Sequence, residues 1–298
     1  MKVKLWGTRG STPTPSTQEF QTSRYGGDTT CVSIQSGNHF MILDGGSGLR
    51  LLGLDMGRHL PKPIKATMLF SHVHWDHIQG FPFFIPGFSD DTELNLYGPS
   101  NLNKGDFIGS MLARALRLQQ DNLNFPVQLK EMPAQMNFQD LLEESETVFS
   151  GGETELVVKA YPLNHPGGCF GYRIEEWRAG KHQCTFGFAT DSEHLEDINP
   201  NVQKIIESAD LAMLDCQYTP DEYAGINGNF CRIGWGHSTW EMSLREARAA
   251  ETKHLLLHHH DPMHDDQRVA EIEHNAREAA TETRITIEAA EQFKEFEI

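Results

Sequence analysis

The sequence contains few cysteines, no long apolar run and no excess of basic residues. There are five cysteines, and none lies in a Cys-x-x-Cys pair, so neither a disulfide framework nor a cysteine-type zinc site is predicted. No apolar stretch approaches the length of a membrane span, and no apolar segment of a secretion signal follows Lys2 and Lys4. We therefore expect a cytoplasmic protein with no membrane partner.

The charge of the chain is strongly negative. Asp and Glu number 42 against 25 Lys and Arg, which gives a formal net charge of −17. Proteins that bind long nucleic acids usually present a basic face to the phosphates, so large nucleic acids are not expected as partners. A small phosphate ester is compatible with this charge, because bound divalent cations would supply positive charge locally.

No linker, low-complexity tract or internal repeat divides the 298 residues, of which 38% are hydrophobic. This composition is sufficient for a packed core, and we expect a single domain over residues 1–298. Short apolar runs alternate with helical patterns, which predicts a layered α/β protein. Strand-rich runs at both ends favour two sheets between helices over one doubly wound sheet.

The densest set of candidate metal ligands lies in residues 71–77, Ser-His-Val-His-Trp-Asp-His, directly after an apolar run that reads as a buried strand. Three His and one Asp exceed the three protein ligands of one catalytic zinc, so two metals that share ligands are predicted. The alternative is a surface histidine cluster or a helix cap. Similar strands end in His165, Asp191 and the run His258–His260, which favours the metal site.

Two other segments are more ambiguous. The Gly/Ser-rich loop at residues 7–13 contains Arg9 and Ser11 and would cradle an anion with its backbone N–H groups, whereas a plain turn is the simpler interpretation. Residues 102–119 have apolar positions at helical spacing, which predicts an amphipathic helix that acts as a lid, forms a dimer contact or simply packs on the body. Residues 120–140 are expected to be irregular.

Taken in chain order, these segments resemble the metallo-β-lactamase superfamily. The resemblance is specifically to its phosphodiesterase branch, which includes ribonuclease Z and cyclic-nucleotide phosphodiesterases. The HxHxDH motif at residues 72–77 is the specific part. The Gly-rich segments at residues 7–11, 43–48 and 236–239 and the final His-His-Asp-Pro add weight to the branch assignment. The resemblance covers essentially the whole chain and implies an αββα four-layer sandwich with the metals at one sheet edge.

The resemblance also implies two divalent metal ions. Zn²⁺ is preferred, although the same His and Asp ligands also bind Mn²⁺ and Fe²⁺. In the last histidine run the resemblance favours His259 over His258 and His260, because His259 lies two residues beyond Leu257, as the family's final ligand does beyond its strand. The implied ligands are His72, His74 and His165 for one metal, Asp76, His77 and His259 for the other, and Asp191 as the bridge between them.

Carried over in the same way, His237 resembles a histidine of ribonuclease Z near the scissile phosphate, and Asp215 falls where an acidic residue orients that histidine. Ser238 and Glu241 predict a capping box for the following helix, which places His237 near a helix N-terminus suited to an anion. The alternative for His237 is an ordinary residue before a capped helix. The predicted catalytic residues are Asp76, Asp215 and His237, and the predicted substrate-binding residues are Arg9, Ser11 and His237.

The predicted function is dinuclear metal-dependent hydrolysis of phosphodiester bonds, in small or cyclic nucleotides, by a metal-bridging hydroxide. The alternatives are an endoribonuclease of ribonuclease Z type, a thioester or lactone hydrolase, and a non-enzymatic metal-binding protein. Only 26 residues separate His165 from Asp191, too few for the tRNA-holding arm that bacterial ribonuclease Z carries there. A homodimer is expected because members of the family are often dimeric.

Overall fold

A computed structural model describes residues 1–100 and 110–298 of the chain, and the described residues form two sheets of seven strands. Strands are numbered in chain order. From edge to edge, the first sheet consists of β14 (Glu295–Glu297), β1 (Lys2–Gly7), β2 (Cys31–Ser36), β3 (His39–Leu43), β4 (Ile64–Leu69), β5 (Thr92–Pro99) and β6 (Gln135–Leu141). The second consists of β13 (Thr286–Ala289), β12 (His254–His258), β11 (Leu211–Asp215), β10 (Lys181–Ala189), β9 (Cys169–Arg178), β8 (Thr154–Leu163) and β7 (Glu146–Gly151).

Helices cover the outer faces of both sheets. They are α1 (Leu49–His59), α2 (Trp75–Ile78), α3 (Met111–Gln119), α4 (Pro200–Ile206), α5 (Pro220–Ala224), α6 (Trp240–Ala249) and α7 (Asp266–Ala279). The apolar faces of α1 and α3 pack on the first sheet, and those of α4, α6 and α7 pack on the second. The predicted αββα sandwich is therefore confirmed. Over the described ranges, no helix combines the length and apolar character that a membrane crossing requires.

The central strands are apolar on both faces because each face meets a different layer. Leu256 of β12 and Met213 of β11 lie in the core between the two sheets. Their neighbours Leu255, Leu257 and Leu214 lie in the core beneath the outer helices. Parallel strands that are buried on both faces appear in a sequence as continuous apolar runs, which is why these strands were recognisable.

The predicted helix over residues 102–119 is confirmed in its second half, where α3 forms, whereas residues 102–109 lie outside the described residues. The side chain of Ser110 caps α3 by accepting a hydrogen bond from the Ala113 amide. Leu112 and Leu116 are buried in the core beneath the first sheet. The helix thus packs on the body, and a role as a lid or dimer contact remains a prediction.

Two expectations about local structure are wrong. Residues 120–140 were expected to be irregular, but they include most of β6, which pairs in parallel with β5. Met136 and Phe138 alternate with polar residues in this strand, but the alternation covers too few residues to stand out from the polar segment before it. The N-cap of α6 is Thr239, not Ser238. The buried Ser238 hydroxyl instead donates to the Ser192 carbonyl at 2.6 Å and accepts from the His194 amide at 2.8 Å.

The interval between His165 and Asp191 is filled by a single hairpin. Strands β9 and β10 are antiparallel, and only Ala179 and Gly180 separate them. This interval contains no inserted arm.

Two hydrogen bonds cross the core between the sheets next to the HxHxDH turn. The hydroxyl of the buried Tyr172 on β9 donates to the Phe70 carbonyl at 2.6 Å, and the Phe170 amide donates to the Ser71 carbonyl at 2.9 Å. Both acceptors lie immediately before His72, so the second sheet helps to fix the start of the turn that the first sheet delivers.

We predict that Tyr172→Phe lowers the free energy of unfolding by about 1–3 kcal/mol, because it leaves the buried Phe70 carbonyl without its donor. Urea denaturation followed by circular dichroism measures the change. Tyr161→Phe, at a half-exposed position on β8, is the matched control and is expected to change stability by less than about 0.5 kcal/mol. Equal stability of Tyr172→Phe and the wild-type protein would contradict a role for this bond.

Candidate metal centre

The carboxyl ends of strands from both sheets meet at one edge of the sandwich. Parallel strands end at the same edge, and ligand sites in α/β proteins form there. The residues at these ends are Asp44 after β3, His72 after β4, His165 after β8, Asp191 after β10, Asp215 at the end of β11 and His259 after β12.

Three of the predicted ligands form one group. The ligand atoms of His72, His74 and His165 lie within 4.8 Å of one another. The Nδ1 of His165 lies 2.9 Å from the Gly236 carbonyl, which only accepts, so Nδ1 carries the proton. Its Nε2 is therefore free to bind a metal and lies 3.0 Å from Nδ1 of His74.

The other four predicted ligands form a second group. The ligand atoms of Asp76, His77, Asp191 and His259 also lie within 4.8 Å of one another. Oδ2 of Asp191 lies 3.2 Å from Nε2 of His77, 3.3 Å from Nε2 of His259 and 3.7 Å from Nε2 of His72. Asp191 thus stands between the two groups. The structure brings all seven predicted residues together, and six of them are buried, with only His74 exposed.

Two buried nitrogen atoms in these groups show that the residues fit a metal. Nε2 of His72 and Nε2 of His77 make no hydrogen bond with any described residue. Buried polar atoms are normally paired, and imidazole nitrogen with carboxylate oxygen is a ligand set for divalent transition metals. Burial, followed by the neighbouring His77, holds the pKa of His72 well below its ordinary value. His72 is therefore neutral, the form that binds metal.

The second group lies in a strongly negative electrostatic environment. Burial alone would lower the pKa of His77, but Asp191, Asp76 and Asp44 raise it well above its ordinary value. A pocket that favours a proton on a buried imidazole also favours any other cation. The arrangement therefore attracts positive charge.

Two residues that were not predicted as site residues, Asp44 and Gln217, orient the ligands. Oδ2 of Asp44 accepts from Nδ1 of His77 at 2.8 Å, and its carboxylate also accepts from the amide and hydroxyl of Ser71. Oε1 of Gln217 accepts from Nδ1 of His259 at 2.9 Å. Both contacts direct Nε2 of the histidine toward the site. Their position just beyond strand ends is the only signal that the sequence offers.

Backbone strain is concentrated at the same edge. Asp44, Asp191 and His259 have φ values of +58°, +53° and +65°, in the left-handed region that residues other than glycine seldom adopt. Such strain persists where the surrounding structure determines the conformation, commonly at functional sites. Gly10 is also constrained, because a Cβ there would lie 2.4 Å from Nδ1 of His259.

Asp215 and His237 are paired beside the second group. Nδ1 of His237 lies 2.7 Å from Oδ2 of the fully buried Asp215, whose other oxygen accepts from the Ser238 and Gln217 amides. The ring of His237 stacks on His259 with a centroid distance of 4.9 Å. Burial lowers the pKa of His237, but the charge and hydrogen bond of Asp215, together with the charges of Asp191 and Asp76, raise it to about 9. The pair is present as expected, and its catalytic role remains a prediction.

The substrate-binding role predicted for Arg9 does not fit the structure. Its side chain is fully buried, and its guanidinium donates to the backbone carbonyls of Gly26, Asp261 and His264. These carbonyls engage Nε and Nη1, and Nη2 is buried as well, so Arg9 braces loops instead of facing a ligand. Ser11 does lie at the site, because its amide donates to Oδ2 of Asp76 at 2.7 Å.

The last histidine run contributes one residue to the site. His259 belongs to the second group, whereas Nε2 of His258 lies 3.3 Å from the Gly7 carbonyl and Nε2 of His260 lies 2.9 Å from the Ala290 carbonyl. Successive residues at this strand end point in different directions. The preference for His259 agrees with this placement.

Comparison with known proteins identifies relatives. Residues 43–260 match the family model described as the β-lactamase superfamily domain. Ribonuclease BN of Cronobacter sakazakii is 35% identical over 256 residues, which cover 68% of this chain and 74% of that protein. Ribonuclease Z of Lactiplantibacillus plantarum is 34% identical over 119 residues, which are 39% of this chain and only 32% of that protein.

Solved structures share the fold at low sequence identity. The short form of human tRNase Z has a TM-score of 0.63 and 17% identity, with 100% of this chain and 99% of that chain covered. Unliganded yeast PDE1 has a TM-score of 0.67 and 11% identity, with the same coverage of both chains.

These matches confirm the resemblance that the HxHxDH motif and the Gly-rich segments indicated. They also confirm the predicted class of enzyme, a hydrolase. The chain belongs to the β-lactamase superfamily, in the branch that contains the ribonuclease Z and ribonuclease BN proteins.

Proposed function

We propose that the protein is a dinuclear metal-dependent hydrolase of phosphodiester bonds in small or cyclic nucleotides. The observation that carries this proposal is the Asp215–His237 pair, which lies against His259 and His165 beside the two groups of metal-ligating side chains. A histidine in this position is suited to an anionic substrate, because it presents an N–H donor beside the cations that the ligands would hold.

His72, His74 and His165 would hold one divalent ion, Asp76, His77 and His259 would hold the other, and Asp191 would serve both. Bound divalent ions supply a water nucleophile at neutral pH and neutralise charge on a phosphoryl group. Zinc is our choice for the native metal, because these ligand types suit it and a catalytic zinc leaves a position open.

The residues of the chain have separate tasks in this proposal. Asp215 holds the proton of His237 on Nδ1, which leaves Nε2 directed away from it. Nε2–H would donate its proton to the leaving oxygen as the P–O bond breaks. The Ser11 amide fixes the carboxylate of Asp76 by donating to its Oδ2. The buried position of these groups limits the access of bulk water.

An endoribonuclease of ribonuclease Z type is the second candidate, favoured by the 35% identity to ribonuclease BN. Two observations weigh against a large RNA substrate. The net charge is −17, and β9 and β10 fill the interval between His165 and Asp191 with a tight hairpin. We therefore prefer a small phosphodiester and extend the proposal to a cytoplasmic homodimer with no membrane partner.

The metal assignment is tested with the last histidine run. We predict that the wild-type protein binds two divalent ions per chain and that His259→Gln retains about one, because the variant loses a ligand of the second group. His258→Gln and His260→Gln are the matched controls and keep both ions, since their rings bond to backbone carbonyls. Plasma mass spectrometry of dialysed protein measures the content. If His258→Gln loses an ion and His259→Gln does not, the ligand is His258 and the assignment to His259 is wrong.

Activity is tested on metal-loaded protein with bis(4-nitrophenyl) phosphate and a panel of cyclic mono- and dinucleotides. We expect hydrolysis of the aryl diester and of at least one cyclic nucleotide. A precursor tRNA assayed in parallel represents the second candidate. If the protein with full metal content cleaves no diester, the proposed function is wrong and a non-enzymatic metal-binding protein becomes the better interpretation.

His237→Ala separates a phosphodiesterase from a thioester or lactone hydrolase. We predict that kcat for the diester falls by roughly 100-fold or more, the usual loss when a general acid is removed. Metal content should stay the same, because His237 is outside the proposed ligand set. His182→Ala, at an exposed position on β10, is the control. Thioester cleavage that survives His237→Ala, in a protein that cleaves no diester, would favour a thioester or lactone hydrolase.

A further inference from the structure

Two tryptophans lie at the edge of the metal centre with their side chains exposed. Trp75 is 59% exposed and Trp235 is 57% exposed. Trp75 lies between His74 and Asp76 in the chain, and His74 is the exposed member of the seven ligand candidates. Trp235 directly precedes Gly236, whose carbonyl accepts from His165. Neither indole contributes to the cores of the sandwich, so packing does not explain them.

Both tryptophans are adjacent in the chain to a group that contacts His165. Nε2 of His165 lies 3.0 Å from Nδ1 of His74, the neighbour of Trp75. Nδ1 of His165 lies 2.9 Å from the carbonyl of Gly236, the neighbour of Trp235. The backbones of the two tryptophans are thus brought to the same histidine, each one residue away from a group that contacts its ring.

The backbone of Trp235 is fixed although its side chain is exposed. The buried carboxylate of Glu193 accepts from the Gly234 amide at 2.7 Å and from the Gly236 amide at 3.1 Å, one on each side of Trp235. It also accepts at 2.6 Å from the hydroxyl of Tyr223, which lies in α5 just before the same loop. Glu193, which no sequence pattern indicated, thus holds both ends of the loop that displays the indole.

The backbone of Trp75 is fixed in a comparable way. It is the first residue of α2, and its carbonyl accepts from the Gln79 amide. Its neighbours His74 and Asp76 are both candidate ligands. Exposed but positionally fixed aromatic rings lose little conformational freedom when they bind a flat partner.

We infer that Trp75 and Trp235 form a rim that binds the nucleobase of the substrate by stacking while its phosphate lies at the metal centre. This inference rests on the proposed function for the position of the phosphate. Aromatic side chains stack on any base, because every base has a π-face, and the contact tolerates differences in sequence. The substrate class is therefore a phosphodiester with a nucleoside on at least one side.

The test compares two esters that release the same 4-nitrophenolate. Thymidine 5′-(4-nitrophenyl) phosphate carries a base, and methyl 4-nitrophenyl phosphate does not. We expect kcat/KM of the metal-loaded wild-type protein to favour the thymidine ester by about tenfold or more, as the loss of one stacked base would predict. Trp235→Ala and Trp75→Ala should each reduce this ratio by about tenfold, mainly through KM, whereas Trp235→Phe should retain most of it.

The control is Phe88→Ala, which removes an exposed aromatic ring from the segment 85–88 outside the site and should leave the ratio unchanged. Metal content is measured for each variant, so that damage to the neighbouring ligands is recognised. An unchanged ratio in both tryptophan variants overturns the inference, and so does a wild-type protein that cleaves both esters equally.

A binding measurement separates this inference from the proposed function. Calorimetric titration compares thymidine 5′-monophosphate with methyl phosphate in the wild-type protein and in Trp235→Ala. If neither ester is cleaved but the nucleotide binds about tenfold more tightly and depends on Trp235, the rim is supported and the proposed function fails. If both esters are cleaved without preference and both ligands bind equally, the proposed function survives and the rim is wrong.

Discussion

Buried negative charge at one edge of the sandwich is the constraint on which the rest of the structure depends. Four carboxylates lie there out of contact with bulk water, those of Asp44, Asp76, Asp191 and Asp215. Burying a charge is costly unless it is paired and hydrogen-bonded. Asp44 and Asp215 are paired with Nδ1 of His77 and His237, respectively. Asp76 and Asp191 instead face the outer nitrogens of several imidazoles, an arrangement that divalent cations would neutralise.

Each of the two sheets supplies part of this arrangement. The first sheet supplies the HxHxDH turn and Asp44, and the second supplies His165, Asp191 and His259. The Tyr172 hydroxyl and the Phe170 amide join the layers next to that turn. Because each sheet carries one half of the centre, a shift of one sheet against the other would displace the two halves relative to each other, and the close packing of the interior resists such a shift. The strained conformations at the strand ends are held by this shared support.

Much of the centre was predictable because its ligands follow apolar strands, and such strands leave a clear trace in the sequence. The HxHxDH turn, His165, Asp191 and the run His258–His260 were found in this way, and the family resemblance selected His259 from that run. Arg9 was misassigned because its position in a Gly-rich loop says nothing about whether the side chain turns inward, which depends on the carbonyls of Asp261 and His264. Tertiary contacts of this kind cannot be read from local pattern.

The dependence on tertiary contacts also explains the other differences between the predicted and the observed structure. β6 lies at the edge of its sheet and is largely exposed, so only Met136 and Phe138 alternate with its polar residues, too short a pattern to indicate a strand. The cap of α6 moved by one residue because Ser238 is engaged by Ser192 and His194, residues distant in sequence. Glu193 had no signal at all, since its three donors come from a segment 30 or more residues away. Residues that orient others are the least visible in a sequence.

The anchoring of the loop that follows α5 has a consequence for protein engineering. The carboxylate of Glu193 joins Tyr223 of α5 to the amides of Gly234 and Gly236. The Gly236 carbonyl in turn accepts from Nδ1 of His165. Exposed side chains between these anchor points, such as Phe230 and Ile233, can be replaced while the three hydrogen bonds to Glu193 are kept. The loop is therefore a segment whose surface can be redesigned separately from the metal centre.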